Sequence, residues 1–228
     1  MSDQNISKIY IQSNHHDTKD IIAMAKKRGI RVDLVEKSVL DKMSDTGRHQ
    51  GLIAIVENYQ YHTVEEIMAS AKAKGEPLLM LLLDGIEDPH NLGSIIRVAE
   101  CAGVHGIVIP SRRAVGVNDT VVKVSAGAAS HMMVAKVGNI NDTIRMLHDN
   151  FVNIFALDMD GKDIYASHLT GDTALVVGSE GFGVKSLTRK LCDGAISLPQ
   201  FGKVNSLNAS VATGIAVYEA VRQRHSNK

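Results

Sequence analysis

The stretch Leu78-Leu-Met-Leu-Leu-Leu-Asp-Gly-Ile-Glu-Asp-Pro-His-Asn-Leu-Gly-Ser-Ile-Ile-Arg97 decides the fold. Its first six residues, Leu78–Leu83, are all apolar. That run is far too short to span a bilayer, and between Pro77 and Asp84 it reads as a strand buried on both faces. Asp84 and Gly85 turn the chain, Asn91 stands where a helix N-cap would, and Leu92–Cys101 repeats apolar and small residues at helical spacing. A doubly buried strand feeding into a helix is the unit of a mostly parallel sheet covered by helices.

The same alternation continues toward the C-terminus. Gly106–Ile109, Val152–Leu157, Ala174–Val177 and Ala195–Leu198 read as strands. Asp142–Asp149, Val184–Leu191 and a closing Val211–Gln223 read as helices. Upstream, residues 1–59 read as a small α/β unit. Its strands are Lys8–Gln12, a half-buried Arg31–Val35 and a more fully buried Gly51–Val56. A helix over Asp17–Arg28 turns Ile21, Ile22, Met24 and Ala25 inward and is closed by Gly29. Thr63–Glu76, rich in Ala, Lys and Glu, reads as a connecting helix. The expected organisation is a small domain at 1–59, a linker at 60–76 and a large α/β domain at 77–228.

Composition narrows the class of function. The chain has 228 residues, 44% hydrophobic and 22% charged, enough for a normal buried core. The start Met1-Ser-Asp-Gln-Asn is polar and lacks the apolar run of a secretion signal. Cys101 and Cys192 lie far apart in no metal-like spacing and read as reduced core residues. A cytoplasmic protein without a membrane segment or a metal site is expected. Net charge is zero, so any nucleic-acid surface has to be local. The one dense basic cluster, Lys26, Lys27, Arg28 and Arg31, is either a helix C-terminus offsetting its dipole or an RNA-facing patch.

Three clusters hold residues that packing alone would not choose, each at the C-terminal end of an expected strand, where open α/β sheets place ligands. The first is Asp84–Arg97. Arg97 lies about a turn and a half inside its helix, either paired with Glu100 or Asp84, or held as a guanidinium near a site. The second is Val177-Gly-Ser-Glu-Gly-Phe-Gly183, a turn whose glycines let backbone approach a ligand. The third is Leu198-Pro-Gln-Phe-Gly-Lys-Val-Asn-Ser-Leu-Asn-Ala-Ser-Val-Ala212, in which Ser206 and Asn208 open the last helix. Capping explains one of these polar residues but not the run. The second cluster also approaches the phosphate loop Gly-x4-Gly-Lys-[Ser/Thr]. Val184, however, separates Gly183 from Lys185, and Glu180 would put a negative charge in an anion cradle. No Gly-x-Gly-x-x-Gly occurs in forward order.

Together, Asn-x-Gly-x3-Arg at 91–97, Gly-x-Glu-Gly at 178–181 and Ser-Leu-Asn-x-Ser-Val-Ala at 206–212 resemble the SpoU/TrmH family of tRNA and rRNA 2′-O-methyltransferases, in the SPOUT superfamily. The resemblance runs from about Leu78 to the C-terminus. Within the family it is strongest to the bacterial 23S rRNA guanosine-2′-O-methyltransferases. Arg48-His-Gln-Gly-Leu-Ile-Ala54 resembles the family's small α/β substrate-binding domain (L30e-like). That domain usually has a helix ahead of its first strand. Here the strand starts at Lys8, so a shortened RNA-binding domain or a late start is expected.

The resemblance implies a parallel sheet whose C-terminal part is threaded into a trefoil knot, an exception to the rule against threaded connections. It implies catalytic-site roles for Asn91, Arg97, Glu180, Ser206 and Asn208. Backbone around Gly178, Gly181, Leu198 and Leu207 would hold S-adenosylmethionine. RNA as substrate and a homodimer, with each site drawing on both subunits, also follow. The chemistry suits these residue types. A ribose hydroxyl attacks poorly until its proton is shared, whereas a sulfonium donor needs no metal. A guanidinium stays protonated, so Arg97 is expected to hold phosphate and polarise the hydroxyl rather than act as a free base. The alternative within the same family is a tRNA methyltransferase, and outside catalysis an inactive RNA-binding assembly factor.

Overall fold

The computed structural model describes residues 5–14, 18–44, 48–57, 59–203 and 206–226. The chain divides into two compact units, with the boundary between Gln60 and Tyr61.

The first unit runs β1 (Asn5–Gln12), α1 (Lys19–Lys27), β2 (Arg31–Val35), α2 (Lys37–Met43) and β3 (Leu52–Glu57). β1 is central, parallel to β2 and antiparallel to β3. Ile9, Ile11 and Ala25 are buried together, with Ile22, Val32 and Leu52 packed on them. Two expectations are corrected here. Ile21 and Met24 face outward, 36% and 60% exposed, because a three-stranded sheet covers only the narrow stripe of α1 that holds Ile22 and Ala25. β3 is an edge strand with Ile55 39% exposed, not a fully buried one. The expected helix start at Asp17 lies outside the described residues. In the basic cluster, Lys26 and Lys27 occupy the last turn of α1, where they offset its dipole. Arg31 pairs with Asp33 of its own strand.

The second unit opens with α3 (Val64–Lys74). A capping box starts this helix: Glu66 N donates to Thr63 Oγ1, and Thr63 N to the Glu66 carboxylate. Val64, Ile67 and Ala71, at helical spacing, pack in the core with Leu78, Met80 and Val108. The segment expected to be a linker is therefore part of this unit's core.

The chain continues through β4 (Leu79–Asp84), α4 (Pro89–Cys101), β5 (Gly106–Pro110), α5 (Asp119–Val124), β6 (Val134–Val137), α6 (Ile140–Asp149), β7 (Asn153–Asp163), β8 (Thr173–Gly178), α7 (Ser186–Leu191), β9 (Gly194–Ser197) and α8 (Ala209–Ser226). The six strands pair in parallel in the order β6-β5-β4-β8-β7-β9. Every residue of β4 and of β8 is buried, as the apolar runs require of central strands covered by helices on both faces.

Three connections shape the end of this unit where the site lies. First, α4 starts at Pro89, and Asp88 rather than Asn91 is its N-cap, accepting from His90 N at 2.9 Å. Proline at the first helical position sets that start and moves Asn91 inside the first turn. Second, both Leu157 and Lys162 of β7 stand opposite Ile196 of β9, so the residues between them swing out of register. Gly161 crosses β9 closely: a Cβ there would lie 2.5 Å from Ile196 N. Third, α8 packs on α4, with Gly214 against Val98. Near its end, the half-buried Arg224 donates to the carbonyls of Pro77, Leu78, Leu169 and Gly171 at 2.7–3.0 Å. Among the described residues no helix is long and apolar enough to cross a membrane, and no group of three or more His, Cys, Asp or Glu is placed to hold a metal.

Candidate active site

The three polar clusters meet at the C-terminal edge of β4, β8 and β9. After β8 the chain folds back on itself. Ser179 N donates to Gly183 O at 3.1 Å and Gly183 N to Ser179 O at 2.9 Å. Gly178 makes this reversal possible: a Cβ there would lie 1.9 Å from the Gly183 carbonyl carbon. Gly181 and Gly183 adopt φ +81° and +65°, a region that costs other residues strain.

This tight loop is fastened from below. Asp84, buried at the end of β4, accepts from Lys185 N at 3.3 Å and from Thr188 Oγ1 at 2.9 Å, and it forms an ion pair with Lys185 Nζ. The lysine of the near phosphate-loop motif is thus bound to a carboxylate. The same anchor excludes the pairing of Asp84 with Arg97. No local pattern of residues marks this anchor, whose partners lie about a hundred residues apart.

Asn208 links the other two clusters. Its Oδ1 caps α8, accepting from Ser210 N at 2.9 Å and Val211 N at 3.3 Å. That fixes its Nδ2 toward Asn91 Oδ1, at 2.9 Å, and toward the Glu180 carboxylate. Capping and site-building are therefore one arrangement at this residue. Asn91 is buried, while Glu180, Ser206, Leu207 and Asn208 are exposed at the rim.

These residues border a cavity of about 550 Å³, within the range of cofactor sites. Gly178, Glu180, Gly181, Leu198, Ser206, Leu207 and Asn208 line it, so eight of the nine expected residues come together once Asn91, hydrogen-bonded to Asn208, is counted. Arg97 does not join them. It lies exposed on α4, lines neither this cavity nor the one beside it, and has no hydrogen bond or ion pair among the described residues. Asp158 and Met159, which the sequence reading did not single out, form part of the wall because of the out-of-register turn in β7.

The wall suits a cation better than an anion. Its acidic groups are Glu180, held by an amide, and Asp158, paired with Arg189 at 3.0 Å. Among the described residues no lysine or arginine lines it, and Lys185 on the adjoining loop is engaged by Asp84. Beneath the loop, the Cys192 Sγ donates to Thr188 O, and burial, with the charges of Asp193 and Asp84, pushes its thiol up to about 12. It stays protonated and is no nucleophile.

A parallel α/β sheet with this glycine loop, capped asparagine and cation-tolerant cavity defines a class, and the comparisons agree. Residues 78–218 match the SpoU rRNA Methylase family, and residues 1–62 match the RNA 2′-O ribose methyltransferase substrate binding domain. The chain belongs to the SpoU rRNA methylase family. Two of its relatives align along almost the whole chain. YacO of Bacillus subtilis, ascribed to the TrmH family of tRNA/rRNA methyltransferases, is 42% identical, covering 98% of this chain and 91% of YacO. The 23S rRNA (guanosine-2′-O-)-methyltransferase RlmB of Escherichia coli is 40% identical, covering 97% and 92%. The SpoU methyltransferase AviRb of Streptomyces viridochromogenes, solved with AdoMet, superposes with a TM-score of 0.67 at 24% identity, covering 98% and 85%, and supports the fold.

Proposed function

We propose that this protein transfers the methyl group of S-adenosylmethionine to the ribose 2′-hydroxyl of a guanosine in 23S rRNA. The observation that carries this is the hydrogen-bonded cluster in which Asn208 joins Asn91 to Glu180 beside the cavity, in a chain of the SpoU family. The 23S rRNA guanosine named for RlmB supplies the target.

The cavity fits the cofactor on its own chemistry. Gly178 leaves room where any side chain would close the loop, and Glu180 places negative charge beside a sulfonium rather than a phosphate. Backbone around Gly178, Gly181, Leu198 and Leu207 would hold the cofactor, which when bound supplies an electrophilic methyl group needing no metal. The chain's own part is positioning. Asn208 and Asn91 fix Glu180, and Ser206 offers a hydroxyl at the rim, so that an incoming ribose oxygen meets an ordered polar edge. Alignment of that kind accounts for most of the acceleration in such transfers.

Arg97 belongs to the same reading through a homodimer. It stands free on α4 beside α8, whose Val211, Ile215 and Tyr218 are 50%, 37% and 49% exposed. Burying that face against a second copy would remove apolar surface from water and carry Arg97 to the copy's site. There it would grip phosphate and polarise the hydroxyl. The first unit captures RNA, the crossing of β7 and β9 at Gly161 belongs to a trefoil knot, and the protein works in the cytoplasm.

Methyl-labelled S-adenosylmethionine with 23S rRNA and tRNA transcripts tests the function. Label on a single 23S rRNA guanosine 2′-oxygen is expected. Label on tRNA alone, or calorimetry in which ATP binds and S-adenosylhomocysteine does not, overturns it.

A further inference from the structure

A second cavity of about 330 Å³ lies beside the first, and Ser179, Glu180 and Phe182 line both. A methyl transfer brings donor carbon and acceptor oxygen to about 3 Å in line, so the methylated group has to enter through a space adjoining the cofactor's. Two side chains at this cavity have no role in the fold.

The first is Arg113. It is exposed, lines the smaller cavity, and has no hydrogen bond or ion pair among the described residues. The cavity's other cation, Lys185, is bound to Asp84, which leaves Arg113 as the cavity's uncommitted positive charge. Its backbone sits at φ +55°, in the left-handed region. The loop is held there by Val115 N donating to Ile86 O at 2.9 Å, which lays it along the turn after β4. A strained residue kept in place by its surroundings, at the mouth of a cavity, is a position that function retains.

The second is Phe182. Its ring is 93% exposed, held out between Gly181 and Gly183, on the wall shared by the two cavities. An aromatic face presented this way stacks on a nucleobase, and aromatic stacking is how single-stranded RNA is commonly held.

We propose that the smaller cavity seats the target nucleotide, with Arg113 on its phosphate and Phe182 stacked on its base. The proposal rests on the chain's being an RNA methyltransferase and adds the two residues that place the substrate. A planar guanidinium fork matches phosphate oxygens, and ring and fork standing on opposite loops would hold both ends of one nucleotide. The acidic residues of the cavity, Glu87, Asp88 and Glu180, keep the site from being a general anion trap, so the base contact is needed as well.

The test uses the full-length protein and a protein-free 23S rRNA transcript, with RNA affinity read by filter binding across a salt series. Arg113→Gly removes the charge and suits the φ of this position, so folding is not at issue. It is expected to weaken RNA binding about tenfold and to reduce the slope of log affinity against log salt by about 0.7, the loss of one phosphate contact on single-stranded RNA. Arg113→Lys is expected to restore the slope. Phe182→Ala is expected to weaken binding about tenfold with the slope unchanged, Phe182→Tyr to restore it and Phe182→Leu not to. In the Arg113 variants, which lie outside the first cavity, S-adenosylhomocysteine affinity stays at the wild-type value. Unchanged RNA affinity and slope in Arg113→Gly, or wild-type RNA affinity in Phe182→Ala, overturns the proposal. Failure of the wild-type protein to methylate the transcript is a separate outcome and would instead overturn the function proposed above.

Discussion

Replacing Gly178 with Ala puts the cofactor loop to a direct test. The φ of Gly178 is not in the left-handed region, so alanine is conformationally free there and the effect comes from space alone. The new Cβ would lie 1.9 Å from the Gly183 carbonyl carbon, 2.1 Å from its oxygen and 2.2 Å from Val184 N. These are backbone atoms and cannot rotate away, so the loop has to move by more than about 1 Å to reach ordinary contact distance. That movement breaks the two hydrogen bonds between Ser179 and Gly183, at about 0.5–1.5 kcal/mol each, a loss of about 1–3 kcal/mol. For a chain of this size the melting temperature is expected to fall by roughly 2–12 °C. Glu180 moves with the loop, and a misplacement near 1 Å costs about a hundredfold in turnover. Gly181→Ala is the control: it meets nothing within 4 Å but adopts φ +81°, so it costs about 1–2 kcal/mol of backbone strain without closing the loop. Calorimetry with S-adenosylhomocysteine, a melting curve and single-turnover methylation read the outcome. A Gly178→Ala protein with wild-type affinity and melting temperature would refute the reasoning.

Three further outcomes follow from particular residues. Arg97→Lys, which keeps the charge but loses the planar fork, is expected to lower turnover about a hundredfold while S-adenosylhomocysteine affinity and melting temperature stay unchanged; wild-type turnover would remove Arg97 from the chemistry. His105 is buried, with Nδ1 accepting from Leu79 N at 3.1 Å and Nε2 facing Glu76 at 3.2 Å, and burial, with the charge of Lys74, holds its pKa below the usual imidazole value. Below about pH 6.5 the unfolded chain therefore takes up a proton that the folded chain refuses. Stability falls as pH drops through that range, and the slope is expected to flatten in His105→Gln; parallel slopes would count against it. Finally, iodoacetamide on the native protein is expected to label the exposed Cys101 and to spare Cys192, whose thiol stands at about 12. Equal labelling would show that burial does not protect it.

What the sequence disclosed and what it hid divide along contact distance. Leu79–Asp84 announces itself because a strand buried on both faces needs no outward-facing polar residue. The glycine turn at 178–183 and the Ser206–Asn208 run are conspicuous because their composition is costly without a ligand or cap. β6 and α5 pass unnoticed. β6 is a four-residue edge strand carrying Lys136, and α5 a six-residue helix behind an Asn118 cap, each too short to show a period. Asn91 reads as a cap because Asn commonly serves there, yet Asp88 followed by proline starts the helix earlier. Ile21 and Met24 satisfy a helical pattern as well as Ile22 and Ala25 do, and only the width of the sheet beneath decides between them. The binding of Lys185 by Asp84 carries no local signal.

The strand order has a consequence for how the protein comes into being. The central strand β4 takes β8 as its neighbour, 94 residues later at the Leu79–Thr173 pair, and Asn91 meets Asn208 117 residues on. Arg224 then ties α8 back to the residues just before β4. Pairings this remote are slow to close, and none of them can form while the distal partner is unsynthesised. The small first unit, whose pairings are local, has its three strands in hand early in translation. On the ribosome the nascent chain thus carries a finished first unit long before it carries a methyltransferase, and the active site comes into existence only once α8 has emerged.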